Sequence, residues 1–409
     1  MRLIYLSPVP LTSFAQRPHH FVHWFHQRFN APVTWVEPYP ARLPRVRDLR
    51  RLRRSAGPVL GPAWRTEDWI EPMALRALPL EPLAPGRWLN RLLWRDALAT
   101  LEARFGAGDW LVAGKPCALA LDLFARHPEA LRVFDVMDNV PAFASGASQR
   151  WLARAEAALA TRCDRLLVSA TPLAQRFTAH ADKLLCVRNG LTPPDRPPPD
   201  RSLSDGSASG QPSSESPSDR SPGLGPRPVF GYLGAIAAWF DWEAVVALAQ
   251  RFPQAQVRLI GPCEHRPAQL PANVELLPGI PQDRVYQALA EFDVGLIPFR
   301  IDPLTECVDP VKYYEYRAMG LPVLSTRFGE MRLRGAQDGV RFFDELGSDN
   351  GLGGGDGVLA GHGLSTSDDL SALAALAADA QAVAAFRRDN TWAQRFEPLT
   401  RWAAPSAGR

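Results

Sequence analysis

Lysine is scarce in this sequence. Only Lys115, Lys183 and Lys312 occur among 409 residues, and arginine supplies nearly all of the positive charge. That bias reads as genome composition, and it makes each remaining lysine worth explaining. Excess charge is lacking too: the formal net charge is +3, too close to balance to point to nucleic acid as the partner. The five cysteines are scattered with no C-x-x-C pair, which excludes a disulfide framework and a zinc ribbon and fits a reducing cytosol. No run approaches the roughly 18 apolar residues of a spanning helix. The opening "MRLIYLSPVP" has one basic residue and an apolar run interrupted by proline, so it reads as a buried strand rather than a secretory segment. Any membrane contact would be at the surface.

A hydrophobic content of 46% is ample for packed cores, and the length suits two or three domains of about 100 to 200 residues each. The sharpest change in composition is the Pro-, Ser- and Gly-rich stretch 192–227, which has almost nothing apolar to offset the entropy of ordering and reads as a flexible linker. It separates 1–191 from 228–390, and 391–409 is left as a helix and tail expected to return to the first half. In each half short apolar runs alternate with helical patterns, the signature of parallel sheets with crossover helices. The runs are "RLIYLS", "APVTWVE", "WLVAG", "LRVFDVMD" and "RLLVSA", then "PVFGYLG", "QVRLIG", "VELLPG", "VGLIPF" and "PVLST". The expected fold is α/β, with two Rossmann-like domains facing a cleft. A second glycine-rich segment, "GSDNGLGGGDG", reads as a loop insertion.

Lys312 lies in "DPVKYYEYRAMGLPVLST", residues 309 to 326. Asp309 before Pro310 is a helix start and Gly320 a stop, giving a helix over about 310–319. A strand ends just before it, which places the helix N-terminus at the carboxyl edge of a sheet, where open α/β folds bind ligands. Lys312 in the first turn can share an anion with free backbone amides. Glu315, one turn on, can accept hydrogen bonds from sugar hydroxyls. The competing reading is a solvated lysine–glutamate pair worth a few tenths of a kcal/mol. "FGYLG" has G-x-x-G spacing at 231 and 234, not the dinucleotide fingerprint. In "RPHHFVHWFHQRF", Phe21, Phe25 and Phe29 share one helix face and His19, His23 and His26 the opposite one; a polar face explains those histidines better than zinc does. The basic run 42–55 reads either as a solvated helix or as attraction to an anionic membrane.

"ECVDPVKYYEYRAMGLPV" resembles the signature of the GT-B fold retaining glycosyltransferases, family 4 or group 1-like. Glu315 matches the family's second glutamate, which holds the ribose of a nucleotide sugar, and Cys307 stands where the first glutamate is usual. Glu306 and Asp309 are the nearest replacements. The resemblance extends over most of the chain outside the linker and the glycine-rich insertion. It implies a donor site at Gly234, Ala235, Gly279, Lys312, Tyr313 and Glu315, with Lys312 as the main counter-charge to the diphosphate. It also implies an acceptor site in the first half, for which Arg17, His19, His20 and Lys115 are candidates. Asp138, at a strand end, is the candidate to orient the acceptor hydroxyl or take its proton; capping the next element is the alternative.

The implied activity is metal-independent transfer of a hexosyl unit from a UDP- or GDP-sugar to a glycan or lipid-linked hydroxyl, in bacterial polysaccharide or glycolipid assembly. No cofactor and no D-x-D metal pair are expected. The expected location is cytoplasmic, with peripheral contact at the inner membrane. A nucleotide-sugar epimerase or hydrolase of this fold and a non-catalytic nucleotide-sugar-binding protein are the alternatives.

Overall fold

A computed structural model describes residues 1–44, 67–103, 105–194, 224, 227–347 and 365–403. Most of the linker expected over 192–227, most of the glycine-rich insertion and the basic run beyond residue 44 lie outside the described residues.

The chain divides into two compact units: Met1–Asn189 with Glu306–Asp309 and Trp392–Arg409, and Gly190–Thr305 with Pro310–Thr391. The first unit contains β1 (Leu3–Leu6), α1 (Arg17–Phe29), β2 (Val33–Val36), β3 (Ile70–Met73), α2 (Ala84–Leu93), α3 (Arg95–Glu102), β4 (Trp110–Ala113), α4 (Ala118–Arg126), β5 (Leu131–Val136), α5 (Gly146–Arg162), β6 (Arg165–Val168), α6 (Thr171–Arg176) and β7 (Leu184–Cys186). The second contains β8 (Val229–Leu233), α7 (Trp242–Arg251), β9 (Gln256–Ile260), β10 (Val274–Leu277), α8 (Val285–Leu289), β11 (Val294–Ile297), α9 (Val311–Ala318), β12 (Val323–Ser325), β13 (Val340–Phe342), α10 (Thr366–Ala374) and α11 (Ala380–Asp389). A short α12 (Trp392–Phe396) comes next and packs with the first unit.

Each unit is built on one parallel sheet, ordered β3-β2-β1-β4-β5-β6-β7 in the first and β10-β9-β8-β11-β12-β13 in the second. Strands covered on both faces must be apolar throughout, which is why β1 (LIYL), β2 (VTWV), β4 (WLVA) and β11 (VGLI) are buried at every residue. The apolar runs of the sequence do not reveal β3, β7 and β13. All three are short strands of three or four residues at or beyond the sheet margins, and Pro72 in β3 is tolerated because an edge strand can leave one side of its ladder unpaired. Strand order reverses between β1 and β4, and again between β8 and β11, so the carboxyl ends of these pairs are where each sheet opens to a ligand.

Close approach sets the core of the second unit. A Cβ on Gly231 in β8 would lie 2.1 Å from the ring of the fully buried Phe292, and one on Gly295 in β11 2.3 Å from Tyr316 of α9. Glycine at these two points lets an aromatic ring rest directly on the sheet.

A buried ion pair ties the first unit together. Asp135 of β5 is inaccessible to solvent, and its carboxylate accepts from Arg17 Nε at 3.1 Å and from the Tyr5 hydroxyl of β1 at 3.1 Å. Arg17 Nη1 donates to the Val187 carbonyl at 2.7 Å, just beyond β7. One carboxylate thus fixes the start of α1 over two strands and the end of the sheet. The same helix receives α12: Trp392 stacks on His20 at 4.6 Å between ring centres, and Phe396 meets Phe21 at 5.2 Å edge to face. These aromatic contacts account for Trp392 and Phe396 of the final helical stretch.

Removing the carboxylate strands a cation that is 3% exposed. Asp135→Ala is therefore expected to lower stability by about 3 to 5 kcal/mol in urea unfolding, whereas the paired apolar replacement Arg17→Met with Asp135→Leu should lose clearly less.

Candidate functional site

In the second unit the site is built at the switch point between β8 and β11. β8 ends at Leu233, and the chain turns through Gly234, whose φ of 140° is a left-handed conformation that side chains rarely adopt. Gly261, in the same position after the neighbouring β9, has φ 150° and packs against Gly234: a Cβ there would lie 2.0 Å from the Gly234 carbonyl oxygen. Sequence reasoning missed Gly261, although a glycine closing the apolar run "QVRLIG" is the signal that could have found it.

Lys312 occupies the space that these glycines leave. A Cβ on Gly234 would come within 2.6 Å of both Cε and Nζ of Lys312. The ammonium lies 5.2 Å from the ring centre of Tyr232 and 5.7 Å from that of Phe299, two aromatic faces that favour a cation. Tyr232 is held in place by donating its hydroxyl to the Ala235 carbonyl at 2.7 Å. Desolvation draws the Lys312 ammonium below the ordinary lysine value, and the Glu315 charge one turn along α9 opposes that shift. Burial likewise raises the Glu315 carboxyl, with Lys312 pulling it back. Both side chains remain partly accessible. The pair is thus a partly desolvated cation and anion beside a bare backbone turn, an arrangement suited to an anionic group next to hydroxyls.

Helix α9 begins at Val311 rather than 310, with Pro310 in the capping position. Asp309 does not cap it. Its carboxylate accepts from the Asn189 amide at 2.8 Å, and Asn189 Nδ2 donates to the Asp309 carbonyl at 2.6 Å, both residues belonging to the first unit. Gly320, φ 75°, closes the helix as its position in the sequence implies. Tyr313 is not brought to the Gly234–Lys312 pair by its side chain. It is buried, with its hydroxyl donating to the Asp338 carbonyl at 3.2 Å and the Arg334 guanidinium 3.5 Å from its ring centre. Gly279 follows β10, a strand that β9 separates from β8, so β10 itself runs about 10 Å across the sheet from β8.

Cys307 is 2% exposed and packs into the hydrophobic core of the first unit. Burial raises its thiol pKa, with Arg176 opposing. A small apolar-like side chain suits this buried position.

In the first unit the carboxyl edge carries Asp138, two residues beyond β5. Desolvation pushes its pKa up to about 6, against the pull of Arg17. It does not cap the next element: the 3-10 turn Val140–Phe143 starts from Asn139 with no side-chain cap, and among the described residues Asp138's carboxylate has no hydrogen-bond partner. A carboxyl titrating near neutrality at a strand end can give or take a proton.

The remaining candidates of this unit are engaged in packing. Arg17 is committed to Asp135 and Val187. His19, placed by its spacing on a polar face, is instead fully buried: Nε2 contacts the Leu11 carbonyl at 3.1 Å and the ring lies 4.9 Å from Trp35. The reason is that α1 is covered on more than its phenylalanine face. Burial lowers the His20 pKa to about 3, so the ring stacked on Trp392 is neutral at ordinary pH and offers hydrogen bonds but no charge. Lys115 Nζ donates to the Tyr39 carbonyl at 2.7 Å, and burial lowers its pKa.

No protein-family model matches this chain, and no curated protein matches it in sequence. Solved structures do resemble it. HepE of Anabaena in complex with UDP is 14% identical, with 98% of this chain and 99% of that one aligned at a TM-score of 0.57. OtsA in its apo form is 11% identical over the whole of both chains, TM-score 0.56. The α,α-trehalose 6-phosphate synthase of Burkholderia multivorans is 11% identical over 98% of each chain, TM-score 0.54. At such identities the likeness shows the fold: two Rossmann-like α/β units of the GT-B class, shared along nearly the full chain.

Proposed function

We propose that the protein is a glycosyltransferase that moves a hexosyl unit from a nucleotide diphosphate sugar to a hydroxyl acceptor. The observation that carries this reading is the Lys312 ammonium lying against the Gly234 turn, with Glu315 one helical turn further on. A diphosphate leaving group gains negative charge as the glycosidic bond breaks. A fixed cation beside a backbone turn stabilises that charge without reorganising. Lys312 takes this role, Gly234 and Ala235 line the diphosphate, Gly279 lies toward the base, and Glu315 holds the ribose. UDP is the donor nucleotide to test first, because HepE, of the same fold, is solved with UDP and with UDP and glucose.

Asp138 is proposed to orient the acceptor hydroxyl or accept its proton, with Arg17, His19, His20 and Lys115 shaping the acceptor region around it. Retention of stereochemistry rests on the resemblance of the 306–323 segment, as does a role in polysaccharide or glycolipid assembly. Lys312 carries the charge stabilisation in this scheme, and the sequence has no D-x-D pair. Cys307 favours a second reading, a nucleotide-sugar-binding protein without turnover: donor binding with no glycosylated product from any acceptor would select it.

Lys312→Ala is expected to weaken UDP binding about 10- to 100-fold in calorimetry, as for a lost charge-assisted contact, while leaving uridine binding nearly unchanged. Gly234→Ala, which drives a methyl into the lysine's place, should reproduce that selective loss. Equal losses for UDP and uridine would count against a phosphate role.

Asp138 gives the stability a pH dependence of definite sign. A carboxyl whose folded pKa is about 6, above its ordinary value, costs stability as pH rises through the interval from about 4 to 6. Asp138→Asn should therefore be more stable than the parent above pH 6, by up to about 3 kcal/mol, and should lose that advantage below about pH 4. The same substitution should lower kcat by about 10²- to 10⁴-fold if the carboxylate takes the acceptor proton.

A further inference from the structure

Two loops leave the switch point of the second unit, one after β8 and one after β11, and beyond the Gly234 turn their backbones pair. Phe240 meets Phe299 in an antiparallel bridge, flanked by hydrogen bonds from the Arg300 amide to the Trp239 carbonyl at 2.7 Å and from the Asp241 amide to the Pro298 carbonyl at 2.8 Å. Successive side chains of such extended segments leave on opposite faces, and residues directly across from each other share one. Phe240 and Phe299 take the inner face, buried against Tyr232 at 5.0 and 6.5 Å between ring centres. Trp239 and Arg300 are the facing pair on the other side, Trp239 half-buried and Arg300 exposed. The Trp239 indole also bonds the Tyr232 hydroxyl, which lies 3.6 Å from where a Cβ on Gly234 would stand, so the pair adjoins the turn that holds Lys312.

The backbone of Arg300 is fixed while its side chain is free. Its amide is committed to Trp239, and its carbonyl accepts from the hydroxyl of Thr305, a buried residue. The nearest acid in sequence, Asp302, is not a partner: its carboxylate accepts from the amides of Leu304 at 2.9 Å and Thr305 at 3.2 Å. Among the described residues the Arg300 guanidinium has no hydrogen-bond or ion-pair partner. An arginine anchored through its main chain and left without a counter-ion presents a planar fork to whatever occupies the carboxyl edge of the sheet. That fork matches a carboxylate with two parallel hydrogen bonds. The diphosphate already has its cation in Lys312, seated against the Gly234 turn, so Arg300 is left for a second anion on the same ligand. An indole beside it suits the apolar C–H face of a sugar ring, which a phosphate lacks.

We infer that Trp239 and Arg300 select the sugar of the donor, and that this sugar carries a carboxylate, as in a hexuronic acid. Trp239 lies against the ring and Arg300 takes the carboxylate. The inference deepens the proposed transfer and rests on that reading for the position of the diphosphate.

Calorimetry of the full chain with UDP, UDP-glucose and UDP-glucuronic acid tests it, since these two sugars differ only in a hydroxymethyl group replaced by a carboxylate. The parent should bind UDP-glucuronic acid at least about tenfold more tightly than UDP-glucose, a preference that shrinks in high salt. Arg300→Met, which keeps an apolar stem, should remove the preference at unchanged UDP affinity, and Arg300→Lys should retain part of it. Trp239→Ala should weaken both sugar nucleotides relative to UDP. Equal affinity of the parent for the two sugar nucleotides would overturn the inference. So would a loss of UDP affinity in Arg300→Met, which would assign the guanidinium to the diphosphate. Either result leaves the donor reading standing, whereas a parent that binds none of the three, nor GDP or GDP-mannose, removes that reading and the inference with it.

Discussion

The second unit depends on a lysine being allowed to occupy the volume that any other residue at position 234 would fill with its Cβ. The ammonium of Lys312 has aromatic faces on two sides, Tyr232 and Phe299, and a glycine turn on a third. Gly261 must be glycine as well, because its Cβ would strike the carbonyl of Gly234 and push that turn onto the lysine. Two adjacent strands therefore end in left-handed glycines for one reason, the backbone approach that leaves room for the cation. Desolvation lowers the pKa of this ammonium, so its charge is costly until an anion arrives, and Glu315 offsets only part of that cost.

The first unit treats two neighbouring carboxylates in opposite ways. Asp135, inside β5, is saturated by Arg17 and Tyr5 and acts as a fixed tie between strands and helix. Asp138, past the end of the same strand, lacks such partners among the described residues and keeps a proton to about pH 6. The difference is position: Asp135 meets the hydroxyl of Tyr5 from β1 and the guanidinium of Arg17 at the start of α1, whereas Asp138, two residues past the strand, makes neither bond. Arg17, His19 and Lys115 are consumed by interior ties of that kind.

Helix α2 shows the same separation of structure from exposure. Its seat is made by Gly86, Asn90 and Trp94 through backbone contacts, so its outward Trp and Leu side chains are not needed to hold it.

Much of this was written in the local sequence. Apolar runs and helical spacing determined two parallel sheets because buried parallel strands must be hydrophobic throughout, and Lys312, Glu315, Gly234 and Gly320 could be singled out from rarity, spacing and turn chemistry. Edge strands β3, β7 and β13 were not legible, since Glu71 and Pro72 interrupt the first, Lys183 and Arg188 closely flank the second, and Arg341 divides the third. Tertiary structure decided the rest. It buried His19 and Tyr313, moved Asp309 from helix cap to partner of Asn189, and set Gly261 against Gly234. It also turned α2 inside out. Each of these outcomes depends on which surfaces meet across long stretches of chain, and local pattern has no access to that.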